Sequence, residues 1–244
     1  MRFAVGYPLH RSPEPFADLV ADYRDAVQEV YFAWPGLASG RSAGGRRRGA
    51  VDWTAQDRLE QDLRRLKKLG VALDLLFNAN CYGERALSEH LQNEIGSTLD
   101  YLAGIGCAAD IITTTSPFVA HVVKTHFPDT EVRASVNMRI ATPEAMAHLV
   151  DLFDSFYLCR DRQRNLETVR EVRAWCDEAG KGLCLLANSG CLRHCPAQTF
   201  HDNLVAHDAG VDETRNVTDW NPHLCRRRLA DRAHWPAVLQ ATWI

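Results

Sequence analysis

Short apolar runs and longer amphipathic stretches alternate along this chain from one end to the other. The apolar runs cover residues 2–6, 29–33, 72–78, 109–113, 131–135, 155–158, 182–188 and 238–244, and their β-branched and aromatic content predicts eight strands. Between them, residues 13–26, 54–69, 88–103, 117–127, 142–152 and 165–178 place apolar side chains at helical spacing. In the second of these, Leu59, Leu63, Leu66 and Leu69 form the apolar stripe, and the Arg and Lys residues fall on a solvated face. Several stretches open on Ser, Thr, Asn or Pro, the residue types that start helices. Such alternation predicts parallel strands joined by crossover helices. Eight strands make an α/β protein of the (β/α)8 TIM-like barrel type the leading expectation, lacking the last helix because the chain stops at the eighth strand. An open doubly wound sheet is the rival, because strand count does not prove closure. No internal repeat breaks the pattern, so a single barrel domain over residues 1–244 is expected.

Two segments depart from the rhythm, and both follow strands, where a barrel carries its active-site loops. Residues 34–51 hold Gly36, Gly40, Gly44, Gly45 and Gly49 with Arg41 and the run Arg46-Arg47-Arg48. A plain surface loop and a substrate- or RNA-contacting element rich in cations are both open readings. Residues 188–236 form a Cys-rich loop insertion that also concentrates His, Arg and Trp.

Composition narrows the class. The chain has 244 residues, 46% hydrophobic and 24% charged, which excludes a disordered or fibrous protein. A net charge of −3 gives no global drive toward nucleic acid. No stretch is apolar for long enough to predict a secretory leader or a membrane span, so a cytoplasmic location is expected. Eight cysteines are too few for a secreted disulfide scaffold, which moves metal, cluster or catalytic roles forward.

The thiols sort by position. Cys176 continues the stripe Leu166, Val169, Val172, and Cys107 precedes the fourth strand, so both read as core. Cys81 and Cys159 follow the third and sixth strands, toward the catalytic face. The strongest local signal is Asn188-Ser189-Gly190-Cys191-Leu192-Arg193-His194-Cys195-Pro196, a C-x3-C-P segment after the seventh strand, with Cys225 beyond it. Soft thiolates favour zinc or an iron–sulfur cluster. Zinc would draw a fourth ligand from His194, His201 or His207; a cluster would draw it from Cys184 or Cys159, or leave one iron open.

Other polar residues gather at predicted strand ends: Glu29, Asn78, Asn80, Ser135, Asn137, Arg160, Asp161 and Arg164. A ring of this kind can orient a small polar substrate, and Arg160 or Arg164 can clamp a carboxylate. The structural alternative is a polar network with helix caps such as Asn165. His201 is a candidate general acid or base, with Glu29 and Asp161 as candidate catalytic carboxylates. The common serine-hydrolase, zincin and P-loop motifs are absent from the sequence.

With these residues in view, the chain resembles the thirty-second family of peptidases of unassigned catalytic type, the collagenase-like peptidases. The likeness runs over almost the whole chain. It is carried by Glu29-Val30-Tyr31-Phe32, Thr114-Thr115-Ser116-Pro117, Arg133-Ala134-Ser135-Val136-Asn137, Arg160-Asp161 with Arg164-Asn165, and Asn188-Ser189-Gly190-Cys191 to Cys195-Pro196 with His201. The resemblance implies a barrel core and a [4Fe-4S] cluster, with Cys191, Cys195 and Cys225 matching ligand positions best and Cys184 as the fourth. It also implies oxygen-independent hydroxylation, as in the related anaerobic ubiquinone-hydroxylating and prephenate-dependent tRNA hydroxylation proteins, on a carboxylated or aromatic small molecule. Departures are a closer spacing of the first two cysteines and the lack of a cysteine between Cys195 and Cys225. The long C-terminal extension of larger relatives is also missing, which favours a small-molecule enzyme or one member of a homo- or heterodimer. Peptidase action is the alternative, and a cluster-bearing accessory subunit that binds RNA or a partner enzyme through Arg41 to Arg48 is a third.

Overall fold

The computed structural model describes residues 3–8, 14–40, 52–187, 191–192, 194–206, 225, 230 and 233. Seven strands run through them: β1 (Phe3–Gly6), β2 (Val27–Phe32), β3 (Ala72–Phe77), β4 (Ile111–Thr114), β5 (Glu131–Ala134), β6 (Ser155–Tyr157) and β7 (Gly182–Cys184). They pair in parallel, each with its neighbour in sequence. A doubly wound sheet reverses its strand order at a switch point. Among the described residues this sheet does not, which goes against the open doubly wound rival.

The sheet is curled, and one contact shows it. In a flat sheet β2 and β5 lie three strand spacings apart, about 14 Å. Yet Arg133 Nη1 on β5 lies 2.7 Å from Glu29 Oε1 on β2, a gap that these side chains bridge only if the strands bend around them. The result is a half-barrel that is not closed among the described residues, with β1 and β7 as its edges. The predicted eighth strand, 238–244, lies outside the described residues, as do most of the Cys-rich insertion and Arg41 to Arg48.

Side chains alternate across the strands and so separate two environments. Val30, Phe32, Leu73, Leu75, Phe77, Ile112, Val132 and Phe156 point toward the helices, and none is more than 1% exposed. Each such burial stabilises by about 1.5–3 kcal/mol. The opposite face carries Glu29, Asp74, Thr113, Glu131, Arg133, Ser155 and Cys184, so the inside of the curl is ionic where barrel interiors are usually layers of branched apolar residues.

Among the described residues, the helices are α1 (Phe16–Asp22), α2 (Trp53–Lys68), α3 (Glu89–Gly104), α4 (Pro117–His126), α5 (Pro143–Ala147), α6 (Leu166–Glu178) and α7 (Gln198–Ala206), and α2, α4 and α6 pack on the strands. Asp52, Ser88, Ser116, Thr142 and Asn165 cap five of them by accepting first-turn N–H groups. The expected stripe of α2 holds, with Leu63 and Leu66 fully buried. Its acidic residues Glu60 and Asp62 are buried as well. Asp62 is stabilised there by Tyr7 Oη, which donates to it at 2.7 Å.

Three boundaries differ from the sequence expectation for local reasons. The stretch 142–152 is helical only over α5, because Leu149 and Val150 bond back three residues and tighten the chain into turns. β7 stops at Cys184 because the Leu186 N–H turns to the Gln163 side chain at 2.8 Å. Residues 198–206, read as part of a loop, form α7. Cys107 and Cys176 are fully buried, as their positions suggested.

Candidate active site at the mouth of the half-barrel

The loops that leave β2, β3, β5 and β6 meet at the C-terminal end of the strands. Asn78 directly follows β3, and its Oδ1 accepts from Ser39 Oγ at 3.0 Å and from the Gly40 N–H at 2.8 Å. Gly40 passes so close that a Cβ there would stand 2.8 Å from Asn137 Nδ2 and 2.9 Å from the Asn78 carbonyl. Only glycine fits that approach. Asn137 sits in a 3-10 turn after β5, built by Ser135, whose Oγ accepts the Asn137 N–H at 3.2 Å. Arg139 closes the turn in the left-handed region at φ 58°.

Arg160, in the turn after β6, donates through Nη2 to Asn137 Oδ1 at 2.9 Å. Its Nε and Nη1 are buried and make no hydrogen bond among the described residues. Asp202 on α7 has a buried Oδ2 in the same condition. Burial pushes its carboxyl up, while Arg160 and Arg139 pull it back down. Arg139 also ties the turn to α7 by donating to Thr199 Oγ1 at 3.0 Å. Asn80 Oδ1 is a further buried acceptor without a partner.

Beside this group, Cys159, Asp161, Arg162, Asn165 and His194 line a cavity of about 430 Å³. Asp161 Oδ1 accepts the His194 backbone N–H at 3.0 Å and stands 3.7 Å from its Nδ1. His194 holds φ at 54°, unusual for a residue with a side chain. Adjacent parallel strands bring these residues together, since Cys159 and Asp161 follow β6 and His194 follows β7.

A second polar group lies inside the curl. Arg133 uses all three nitrogens: Nη1 to Glu29, Nη2 to Glu131 at 3.0 Å, and Nε to Ser155 Oγ at 3.0 Å. Asp74 Oδ2 stands 3.7 Å from Nη1, and Asp74 accepts from the Thr113 N–H at 3.0 Å and Thr113 Oγ1 at 2.7 Å. Burial drives the Asp74 carboxyl well above its ordinary range, against the pull of Arg133. Cys184 faces the same group, and burial pushes its thiol up to about 11, again against Arg133.

The sequence-predicted residues therefore part ways. Asn78, Ser135, Asn137 and Arg160 come together at the mouth, and Asp161 lies in the neighbouring cavity. Glu29 does not face the mouth; β2 starts two residues earlier than expected, which places Glu29 mid-strand inside the curl. His201 lies on α7, directly before Asp202, and Arg164 is exposed ahead of α6. Arg41 lies outside the described residues. Sequence reading missed Asp74, Arg133 as an ionic centre, Gly40 and Asp202. The signal for Asp74 was a single charge inside an otherwise apolar strand, and for Arg133 a charge alternating with Glu131 on one face of β5.

A cluster needs thiolates converging on one point. Among the described residues, no group of three or more His, Cys, Asp or Glu stands close enough to hold a metal ion. Cys191, Cys195 and Cys225 are each partly exposed, while Cys184 sits beside Arg133, where burial pushes its thiol up. Among the described residues, no helix is long and apolar enough to cross a membrane.

Fold and site together define a parallel half-barrel of the TIM type with a polar mouth at the strand ends. The sequence matches no protein-family model and no curated protein sequence. Its fold is similar to that of the U32 peptidase Mk0906, at 21% identity and a TM-score of 0.63, over 87% of this chain and 79% of that one. A putative mandelate racemase from Bordetella bronchiseptica RB50 follows at 14% identity and a TM-score of 0.47, over 85% of this chain and 50% of the other. At these identities the likeness is one of fold.

Proposed function

We propose that this chain is an enzyme of the collagenase-like peptidase type whose substrate binds at the C-terminal mouth of the half-barrel. One observation carries the reading: side chains from four separate strand-end loops close on a single patch that leaves a buried guanidinium with two nitrogens unbonded. Barrel enzymes place their chemistry at this end. Folding alone gives no reason to keep such a group, because a buried donor without a partner costs about 1–3 kcal/mol.

Two chemistries suit the type. Peptide hydrolysis would centre on the cavity that joins Cys159, Asp161 and His194, residue types that serve as nucleophile, orienting carboxylate and base. Oxygen-independent hydroxylation would require Cys191, Cys195 and Cys225 to gather a [4Fe-4S] cluster, with Cys184 leaving the interior or Cys159 taking its place. The second reading is favoured by two cysteines flanking His194 on the loop after β7.

Iron and sulfide analysis of protein purified without oxygen, run beside a peptide-hydrolysis assay, separates them. Iron-free protein that cleaves peptides and loses activity in Cys159→Ser supports hydrolysis. Stoichiometric iron and sulfide, lost in Cys191→Ser, supports the cluster. Iron-free protein with no activity toward peptides, unchanged by either variant, defeats the enzyme reading.

A further inference from the structure

We infer that the mouth is built for a monoanionic carboxylate that carries a hydrogen-bond donor on the neighbouring carbon, as in α-hydroxy and α-amino acids. This deepens the reading that the mouth is the substrate site and rests on it.

The argument is one of hydrogen-bond parity. Each carboxamide has one oxygen and one NH2 group. Asn78 Oδ1 already accepts two bonds, from Ser39 and Gly40, and Asn137 Oδ1 accepts one from Arg160. The oxygens of these two amides are therefore engaged, so what they and Arg160 still offer is donors, while Asn80 Oδ1 and Asp202 Oδ2 remain as the open acceptors. Arg160 contributes Nε and Nη1, both buried and unbonded among the described residues. A group that satisfies a cluster of donors around a cation is an oxyanion.

Asp202 then decides which oxyanion. Its Oδ2 is a buried acceptor without a partner, and Arg160 and Arg139 are the cations that face it. A ligand that also presents a hydroxyl or ammonium satisfies Asp202 while its carboxylate satisfies Arg160. Phosphate is disfavoured because its dianionic form would add charge beside Asp202. The geometry also explains Gly40: its close approach pins the Asn78 oxygen inward, which fixes the direction of the donors.

The test is a ligand titration followed by nuclear magnetic resonance on the full chain, using lactate, propionate, lactamide and inorganic phosphate. Lactate is expected to bind at least about tenfold tighter than propionate, which lacks the donor, and than lactamide, which lacks the charge. Arg160→Gln should abolish lactate binding. Asp202→Ala should keep propionate binding and erase the preference for lactate, a pattern that a merely structural role would not give. Thermal unfolding of each variant establishes that it is folded.

Equal binding of lactate, propionate and lactamide overturns the inference, as does phosphate binding tighter than lactate. It is overturned too if no acid binds and a double-mutant cycle shows Arg160 and Asp202 coupled as an ordinary ion pair. The iron analysis and peptide assay do not depend on these probes, so either idea can fail while the other stands.

Discussion

Two arginines near the axis of the half-barrel make the instructive comparison. Arg133, inside the curl, spends every nitrogen on Glu29, Glu131 and Ser155. Arg160, at the mouth, holds one partner and leaves two buried nitrogens unbonded. Both guanidiniums have been taken out of water to a similar end of the chain's chemistry, yet only one is satisfied by the fold. A saturated buried cation holds strands together, and an unsaturated one waits for something that arrives later. The contrast separates a strut from a binding group without any appeal to position.

The comparison breaks most severely at Arg133. Arg133→Gln should destabilise the protein by about 3–5 kcal/mol, because Glu29 and Asp74 are left as buried acids without a cation. Urea unfolding measures it, and a loss below about 1 kcal/mol would mean that the interior group is not a strut. Gly40→Ala comes next. Its Cβ would press on the Asn78 carbonyl and the Asn137 amide, costing about 1–3 kcal/mol and loosening the donors of the mouth. A neutral Gly40→Ala would show that the loop gives way freely.

Asp74 sharpens the comparison through pH. Its carboxyl is raised in the folded state, so the native protein keeps a proton that the unfolded chain has released. Stability contributed by this group therefore falls as pH rises from about 3.9, the unfolded value, toward the folded one. Asp74→Asn mimics the protonated form and should remove that part of the decline above the unfolded carboxylate value. Parallel stability profiles for the two proteins would count against it. The smallest effect on folding is expected at Arg160→Gln, under about 1 kcal/mol, since the side chain makes one hydrogen bond and two of its buried nitrogens make none. The same variant has the largest effect on binding, and that inversion between the two arginines is the sharpest form of the contrast.

Much of the frame was legible because most strands face the helices with apolar residues, and Ser, Thr, Asn or Asp starts five of the helices. Asn78, Asn137 and Arg160 were legible as strand-end residues, because parallel strands bring all their C-terminal ends to one side. The pairings were not. Nothing local in the segment around Arg133 says that its partner is Glu29, and Glu29 itself was misplaced because the strand begins at Val27, two residues before the expected start. The resemblance makes Cys184 a candidate fourth ligand, and its place beside Arg133, set by strand alternation, was not legible locally. Gly40 looked like one of many loop glycines, and only the distances to Asn78 and Asn137 single it out.

The contact between Glu29 and Arg133 spans 104 residues, while each strand needs only its immediate predecessor to pair. Sheet growth can therefore proceed stepwise as the polypeptide leaves the ribosome, each arriving strand templated on the last, whereas curvature is set only when β5 emerges. Chains halted before β5 should present a flatter, edge-exposed platform, visible as faster proteolysis of stalled nascent chains than of those halted after β6. The ion pair between Arg133 and Glu29 can form no earlier in synthesis than β5 itself.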